Sequence, residues 1–244
     1  MLRMIISDFD GTLFPKKDGK LGEEFIVKIK KLTDCGLIFA VNSGRPYHTL
    51  RQMLKPIENR TVFICNDGAQ IMYKNCLLLK QTVSNEAASS LGSLALDLGC
   101  TPFAALKDKT LPIAQNILLQ KGLFNQDIYK LVIIKNKIDT SALSSLKEMA
   151  TSLGLRPCYE DGTYIEFCNK EANKGNATAY IKKRFGIKNG VAAFGDGDND
   201  LPMFEQADQV FLIKSGNNIC YPGATIIENM QKYVAVELKK NNYM

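Results

Sequence analysis

The pattern of hydrophobic and polar positions changes twice along the chain. In residues 1–80, short apolar runs alternate with a segment in which Phe25, Ile29 and Leu32 recur at helical spacing. The apolar runs are residues 2–7, 37–41 and 62–65. Runs this short and this continuous are typical of buried strands. Their alternation with helices predicts a parallel sheet that carries helices on both faces.

The middle of the chain, residues 81–170, has a different pattern. Its candidate strands alternate apolar and polar residues: Tyr164, Glu166 and Cys168 would share one face, and Ile165 and Phe167 the other. Alternation of this kind is typical of a sheet with one exposed face. With helical patterns at residues 85–98 and 141–153, it predicts an inserted α+β domain.

The first pattern returns after residue 170. Further apolar runs occur at residues 191–194, 210–213 and 225–227. The predicted fold class is therefore α/β: a doubly wound parallel-sheet core from residues 1–80 and 171–244, interrupted by an α+β domain at residues 81–170.

Composition narrows the class of protein. Of 244 residues, 45% are hydrophobic and 23% charged, as in an ordinary globular protein. The absence of any long apolar run or signal-peptide pattern predicts a cytoplasmic protein without a membrane partner. The seven cysteines form no Cys-x-x-Cys pair, so we expect buried thiols instead of disulfides or a zinc site. The net charge of +6 is spread along the chain, which argues against nucleic-acid binding; it is compatible with a small anionic substrate but does not single one out.

Polar clusters follow three of the predicted core strands. They are Asp8 with Asp10, Ser43-Gly44-Arg45, and Asp196 with Asn199 and Asp200. Ligands of open parallel sheets bind at the carboxyl ends of the strands. We therefore expect these clusters to converge on one crevice although they are far apart in sequence.

The acidic residues among them indicate a cation. Asp8 and Asp10 flank a single residue at a strand end, where their mutual repulsion is costly unless a cation or a proton lies nearby. With Asp196 and Asp200 they offer enough hard oxygen ligands for Mg²⁺. No histidine or cysteine accompanies them, which argues against zinc.

Two further features indicate an anion. Ser43 and Gly44 precede a predicted helix, and a hydroxyl beside a helix start favours anion binding. Lys174 stands at the start of another predicted helix, where its charge opposes the helix dipole unless a phosphate or carboxylate is near. His48, the single histidine, is expected at the surface.

In this order, four segments resemble the motifs of the haloacid dehalogenase superfamily. They are Asp8-Phe9-Asp10-Gly11-Thr12, Ser43-Gly44-Arg45-Pro46, Lys174, and Gly195-Asp196-Gly197-Asp198-Asn199-Asp200. The insert that follows Asn66-Asp67-Gly68-Ala69 resembles that of the Cof-type group, subfamily IIB, which has an α/β cap. The segment 211–218 resembles the branch of sucrose-phosphate and mannosyl-3-phosphoglycerate phosphatases.

The resemblance implies a magnesium-dependent phosphatase. Asp8 would be the nucleophile that forms an aspartyl-phosphate, and Asp10 the general acid and base. Asp8, the backbone carbonyl of Asp10 and Asp196 would hold Mg²⁺, with Asp200 supporting the site. The substrate would be a small phosphorylated metabolite such as a sugar phosphate, selected by the cap, whose movement would admit it and exclude water.

The same resemblance implies a set of phosphate-binding residues. Ser43 and Lys174 would hold the phosphoryl oxygens, Gly44 and Arg45 would shape the loop, and Asn199 would touch the phosphate.

Two other functions stay open on the sequence. A phosphomutase shares the aspartate pair but needs a second phosphate site, for which Lys107, Lys109 and Lys121 of the inserted domain are candidates. A non-catalytic sensor of a phosphorylated ligand is the other. The presence of all the residues that turnover requires argues against it.

Overall fold

The computed structural model describes residues 1–14, 20–107, 109–113, 126–214 and 219–236. Lys121 and residues 215–218, which the sequence analysis named, lie outside these ranges. The chain divides into two compact units, Met1–Leu79 with Asn173–Met244, and Lys80–Ala172. Domain boundaries were predicted after residues 80 and 170, and the structure has them after residues 79 and 172.

The elements are numbered in chain order. The strands are β1 (Met4–Ser7), β2 (Ile38–Asn42), β3 (Thr61–Cys65), β4 (Gln70–Tyr73), β5 (Cys76–Lys80), β6 (Thr101–Ala105), β7 (Thr110–Pro112), β8 (Lys130–Ile134), β9 (Leu155–Glu160), β10 (Tyr164–Asn169), β11 (Val191–Gly195), β12 (Gln209–Ile213) and β13 (Thr225–Ile227). The α-helices of the described residues are α1 (Glu23–Asp34), α2 (Tyr47–Met53), α3 (Asn85–Asp97), α4 (Thr140–Ser152), α5 (Lys174–Arg184), α6 (Leu201–Phe204) and α7 (Met230–Val236). Short 3₁₀ turns cover Lys55–Arg60, Asn66–Gly68 and Asp198–Asp200.

The first unit is built on a sheet with the strand order β13-β12-β11-β1-β2-β3-β4-β5. β1 lies between β2 and β11 and is parallel to both. The chain leaves β1 toward one side of the sheet and later returns on the other, so β1 stands at the topological switch point where open α/β sheets bind ligands.

Helices pack on both faces of this sheet, as the doubly wound prediction requires. Ile5 of β1 belongs to a buried cluster with Phe25 of α1 on one face. Ile6 points the other way, into a cluster with Ala177 and Ile181 of α5. Successive residues of one strand thus serve two cores, which explains why the strands are apolar throughout.

One edge of the sheet departs from the parallel arrangement. β4 is antiparallel to β3, and a tight turn through Lys74 and Asn75 leads to β5. Both turn residues have positive φ, 49° and 62°. This hairpin lacks the glycine that usually marks such a turn, so the sequence does not predict it.

The second unit is an α+β domain. Its sheet has the order β7-β6-β8-β10-β9, with antiparallel neighbours. Leu91 of α3 and Leu146 of α4 pack with Phe167 of β10 in one buried cluster. The expected half-exposed face is wrong at Cys168, which is fully buried because the chain turns back and its thiol donates to the carbonyl of Ala172.

All seven cysteines are free thiols. Cys35, Cys76 and Cys220 are exposed, so the expectation of buried thiols is wrong for these three. Among the described residues, no helix combines the length and the apolar character that a membrane crossing requires.

The turn after β3 joins two segments that carry candidate site residues. Asn66, Asp67 and Gly68 have consecutive positive φ values of 52°, 56° and 94°. The Asn66 N–H donates to the Arg45 carbonyl, and the Asp67 N–H donates to the Ser43 carbonyl. A Cβ atom on Gly68 would lie 2.5 Å from the carbonyl oxygen of Asn173, the residue that caps α5.

We expect Gly68→Ala to lower the free energy of unfolding by about 1–3 kcal/mol more than Gly36→Ala does, because forced overpacking costs that much. Gly36 is a matched control: its φ is 90°, and a Cβ there meets nothing within 4 Å. Urea unfolding of both variants measures the difference. Equal losses would show that the contact with Asn173 does not restrain the turn.

Candidate active site

A buried lysine joins two carboxylates at the end of β1. Asp8 directly follows this strand, and its Oδ1 lies 2.5 Å from Nζ of Lys174. The same ammonium donates to Oδ1 of Asp200 at 2.6 Å. Lys174 is only 3% exposed. The predicted anionic partner of Lys174 is thus confirmed as a pair of carboxylates.

Backbone and hydroxyl groups fix the acidic residues after β11. Oδ2 of Asp200 accepts hydrogen bonds from the N–H groups of Asp196 and Gly197, at 3.0 and 3.1 Å. Oδ1 of Asp196 accepts one from the Thr12 hydroxyl at 2.9 Å. Gly11 has a φ of 84°, and a Cβ there would overlap the Asp196 carboxylate, so glycine is the residue that fits.

Thr12 and Gly11 are therefore site residues that the sequence analysis named only as parts of a motif. Asp196 is 184 positions from Thr12. Nothing local in the sequence encodes the hydrogen bond between them. The position of Thr12 beside a strand-end aspartate pair was the one signal that could have drawn attention to it.

Three carboxylates form a cluster that fits a divalent cation. Oxygen atoms of Asp8, Asp196 and Asp200 lie within 4.8 Å of one another, and all three residues are buried. The single ammonium of Lys174 does not balance three ionised carboxylates, and buried charge without compensation is costly. Hard oxygen donors at this spacing suit Mg²⁺.

Asp10 differs from the other aspartates. Its carboxylate forms a two-pronged ion pair with Arg45, at 2.7 Å to Nε and 2.8 Å to Nη2. The guanidinium carbon of Arg45 lies 5.5 Å from the centre of the Phe9 ring. The side chain of Asp10 is therefore not in the acidic cluster. Contact of its backbone carbonyl with a metal stays a prediction.

The loop after β2 presents a hydroxyl and a glycine. Oγ of Ser43 accepts a hydrogen bond from the Arg45 N–H at 3.2 Å, so the hydroxyl keeps its own hydrogen for donation. Gly44 lies beside Asp67, whose carboxylate oxygens would be 3.2 Å from a Cβ at position 44. Ser43 is buried, as a group that holds part of a ligand would be.

Two candidates lie at the surface. Asn199 is exposed in the 3₁₀ turn after β11, next to Gly197. His48 is exposed on α2, where it was expected. Contact of Asn199 with a phosphate stays a prediction.

Burial changes the acid–base properties of the centre. It raises the pKa of the Asp8 carboxyl from 3.8 to about 7, with Lys174 opposing this rise and Asp200 adding to it. Burial alone lowers the pKa of Lys174, but Asp8 and Asp200 outweigh it, so this pKa lies above its ordinary value. The lysine stays charged, while Asp8 depends on a further cation to be fully ionised at neutral pH.

The α/β core and the carboxylate–lysine centre at its switch point are the arrangement that the motif resemblance implied for a phosphate-ester hydrolase. The chain belongs to the haloacid dehalogenase-like hydrolases, because the sequence model of that family matches residues 5–120 and 105–238.

Individual relatives agree with this assignment. A 5-amino-6-(5-phospho-D-ribitylamino)uracil phosphatase of Bacillus subtilis is 25% identical over 227 residues, which cover 84% of this chain and 83% of the relative. A phosphoglycolate phosphatase of Thermoplasma volcanium is 27% identical over 207 residues, which cover 84% and 82%. With phosphatases as relatives, the chain is a phosphoric monoester hydrolase of this family.

The fold is also that of a solved sugar phosphatase of subclass IIB. The TM-score is 0.69 at 15% identity, with 97% of each chain covered. This likeness agrees with the Cof-type assignment. Proximity to the sucrose-phosphate phosphatase branch stays a prediction.

The raised pKa of Asp8 predicts how stability depends on pH. Between about pH 4 and pH 7 the folded protein keeps a proton on Asp8 that the unfolded chain has lost, so rising pH destabilises the fold through this window. We expect metal-free Asp8→Asn to gain stability relative to the metal-free native protein as pH rises, by on the order of a few kcal/mol. Urea unfolding after EDTA treatment measures this, and a difference that is constant with pH would contradict it.

Proposed function

We propose that this enzyme hydrolyses small phosphate monoesters with Mg²⁺ through an aspartyl-phosphate on Asp8. The observation that carries the proposal is the buried centre in which Asp8 and Asp200 both contact Lys174. Carboxylate oxygens of Asp8, Asp196 and Asp200 lie within 4.8 Å of one another there, close enough to bind one ion. Lys174 holds one oxygen of the Asp8 carboxylate, and a carboxylate can attack phosphorus through its other oxygen.

In the first half of the reaction, an oxygen of Asp8 attacks phosphorus. The bond from phosphorus to the leaving oxygen breaks, and that oxygen keeps the electron pair and takes a proton from Asp10. The Ser43 hydroxyl and the Lys174 ammonium hold the phosphoryl oxygens. Bound Mg²⁺ would neutralise charge on the transferring group and favour ionised Asp8.

In the second half, Asp10 acts as a base. It takes a proton from water, whose oxygen attacks phosphorus, and the bond from phosphorus to Asp8 breaks. Phosphate leaves, Asp8 is again a carboxylate, and Asp10 again carries a proton. The exposed position of Asp10 suits this exchange, because its side chain is 53% accessible to solvent.

The names of relatives support a proposed substrate class. One relative is named for a phosphorylated ribityl compound, another for phosphoglycolate, and a solved structure of the same fold is a sugar phosphatase. All three names describe small phosphate monoesters, so they support the class and no single compound. We place sugar phosphates and related metabolites first, with selection by the inserted domain as family resemblance implies.

Asp8→Asn should abolish magnesium-dependent release of phosphate from 4-nitrophenyl phosphate. An amide cannot form the aspartyl intermediate, so we expect a loss of about 10³-fold or more in kcat. The measurement compares release with Mg²⁺ and with EDTA.

Asp97→Asn is the matched control, because it makes the same change at an exposed position near the end of α3. It should keep the native rate. Native activity in Asp8→Asn would exclude the mechanism, and turnover that requires a sugar bisphosphate would favour the mutase instead.

A further inference from the structure

The ion pair between Arg45 and Asp10 points to a role for Arg45 that differs from phosphate binding. We infer that Arg45 is a positioning residue, which orients the carboxyl group of Asp10 so that it can give its proton to the leaving group. The inference rests on the proposed function, since it concerns the proton that Asp10 delivers there.

The geometry of the pair constrains the carboxylate. Nε and Nη2 of Arg45 each donate to a different oxygen of Asp10, at 2.7 and 2.8 Å. Two parallel, charge-assisted hydrogen bonds fix both the position and the plane of a carboxylate, whereas one bond would leave it free to rotate. A residue that is half exposed thereby gains a defined orientation.

Arg45 is itself held at its backbone and at its guanidinium. Its backbone N–H donates to Oγ of Ser43, and its carbonyl accepts from the N–H of Asn66. Its guanidinium lies over the ring of Phe9, which is fully buried and directly precedes Asp10. Arg45 therefore connects Asp10, which follows β1, to the loops that follow β2 and β3. These loops restrain the position of the guanidinium that binds Asp10.

This arrangement also gives a role to the strained turn after β3. Asn66 has a positive φ, which glycine adopts with less strain than asparagine does. In this conformation its N–H donates to the Arg45 carbonyl. Phosphate contacts are available from Ser43 and Lys174 without Arg45. One edge of the guanidinium is already occupied by Asp10.

A positioning role for a general acid has a specific kinetic consequence. A basic leaving oxygen needs a proton to depart, while the anion of an acidic phenol departs without one. Loss of Arg45 should therefore slow the hydrolysis of esters with poor leaving groups more than that of esters with good ones. The parameter to compare is kcat/KM, which covers the steps up to departure of the leaving group.

The experiment compares phenyl phosphate, a poor leaving group, with 2,4-dinitrophenyl phosphate, a good one, at saturating Mg²⁺. For Arg45→Gln we expect kcat/KM to fall about 10- to 100-fold with phenyl phosphate and less than about 3-fold with the dinitrophenyl ester, as a part of the 10²–10⁴-fold that general acids contribute. Asp10→Asn should show the same selectivity with a larger loss. Arg45→Gln should add nothing further in the Asp10→Asn background, because both act on one proton transfer.

Arg51→Gln is the matched control. Arg51 also pairs with a carboxylate, through its Nε to Glu58 at 2.8 Å, and its side chain is 41% exposed against 42% for Arg45. It should keep native kcat/KM with both esters. Arg45→Lys, which retains the charge but not the two-pronged geometry, should show the selective loss in reduced form and serves as the second variant if Arg45→Gln folds poorly by circular dichroism.

Two results would overturn the inference. Equal losses with both esters, together with weaker inhibition by inorganic phosphate, would make Arg45 a phosphate ligand. If Arg45→Gln kept native kcat/KM with both esters, Arg45 would have no role in the proton transfer. In either case an active native enzyme with leaving-group selectivity in Asp10→Asn would keep the proposed function intact, whereas an inactive native enzyme would contradict the proposed function itself.

Discussion

The site depends on one buried ammonium shared between two carboxylates. Lys174 contacts Asp8 and Asp200 at 2.5 and 2.6 Å, and Asp196 completes an acidic cluster that the lysine alone cannot neutralise. Removing the lysine would leave these buried carboxylates without the cation that partly compensates them. The fold therefore has to hold all four residues close together. The negative charge that Lys174 leaves uncompensated favours the binding of a divalent cation.

The sheet supplies that register. β1 lies between β2 and β11, so the residues that follow these strands meet at one edge. Two glycines then allow close contacts that fix these residues. Gly11 packs against the Asp196 carboxylate, and Gly68 packs against the backbone of Asn173, the N-cap residue of α5. The precision comes from positions where a side chain larger than glycine does not fit, which is why the loops of the site are short and rich in glycine.

Much of this arrangement could be predicted from the sequence. Buried strands and helices have local signatures, and the strand-end positions of Asp8, Ser43 and Asp196 follow from them. The pairing of Arg45 with Asp10 and of Thr12 with Asp196 could not be predicted. Each depends on side-chain direction across strands that are distant in sequence, and no local pattern encodes that direction. The hairpin through Lys74 and Asn75 could not be predicted for a different reason: its turn places non-glycine residues at positive φ.

The central claim is that Asp8 becomes phosphorylated during turnover. The most direct measurement is to quench the enzyme during turnover of a phosphate ester with Mg²⁺, reduce it with borohydride, and map the product by peptide mass spectrometry. An acyl phosphate at Asp8 would be converted to homoserine, so we expect homoserine at position 8 with substrate and none there without substrate. Homoserine in place of another aspartate, or no homoserine in an enzyme that accumulates an alkali-labile phosphoenzyme, would contradict this mechanism.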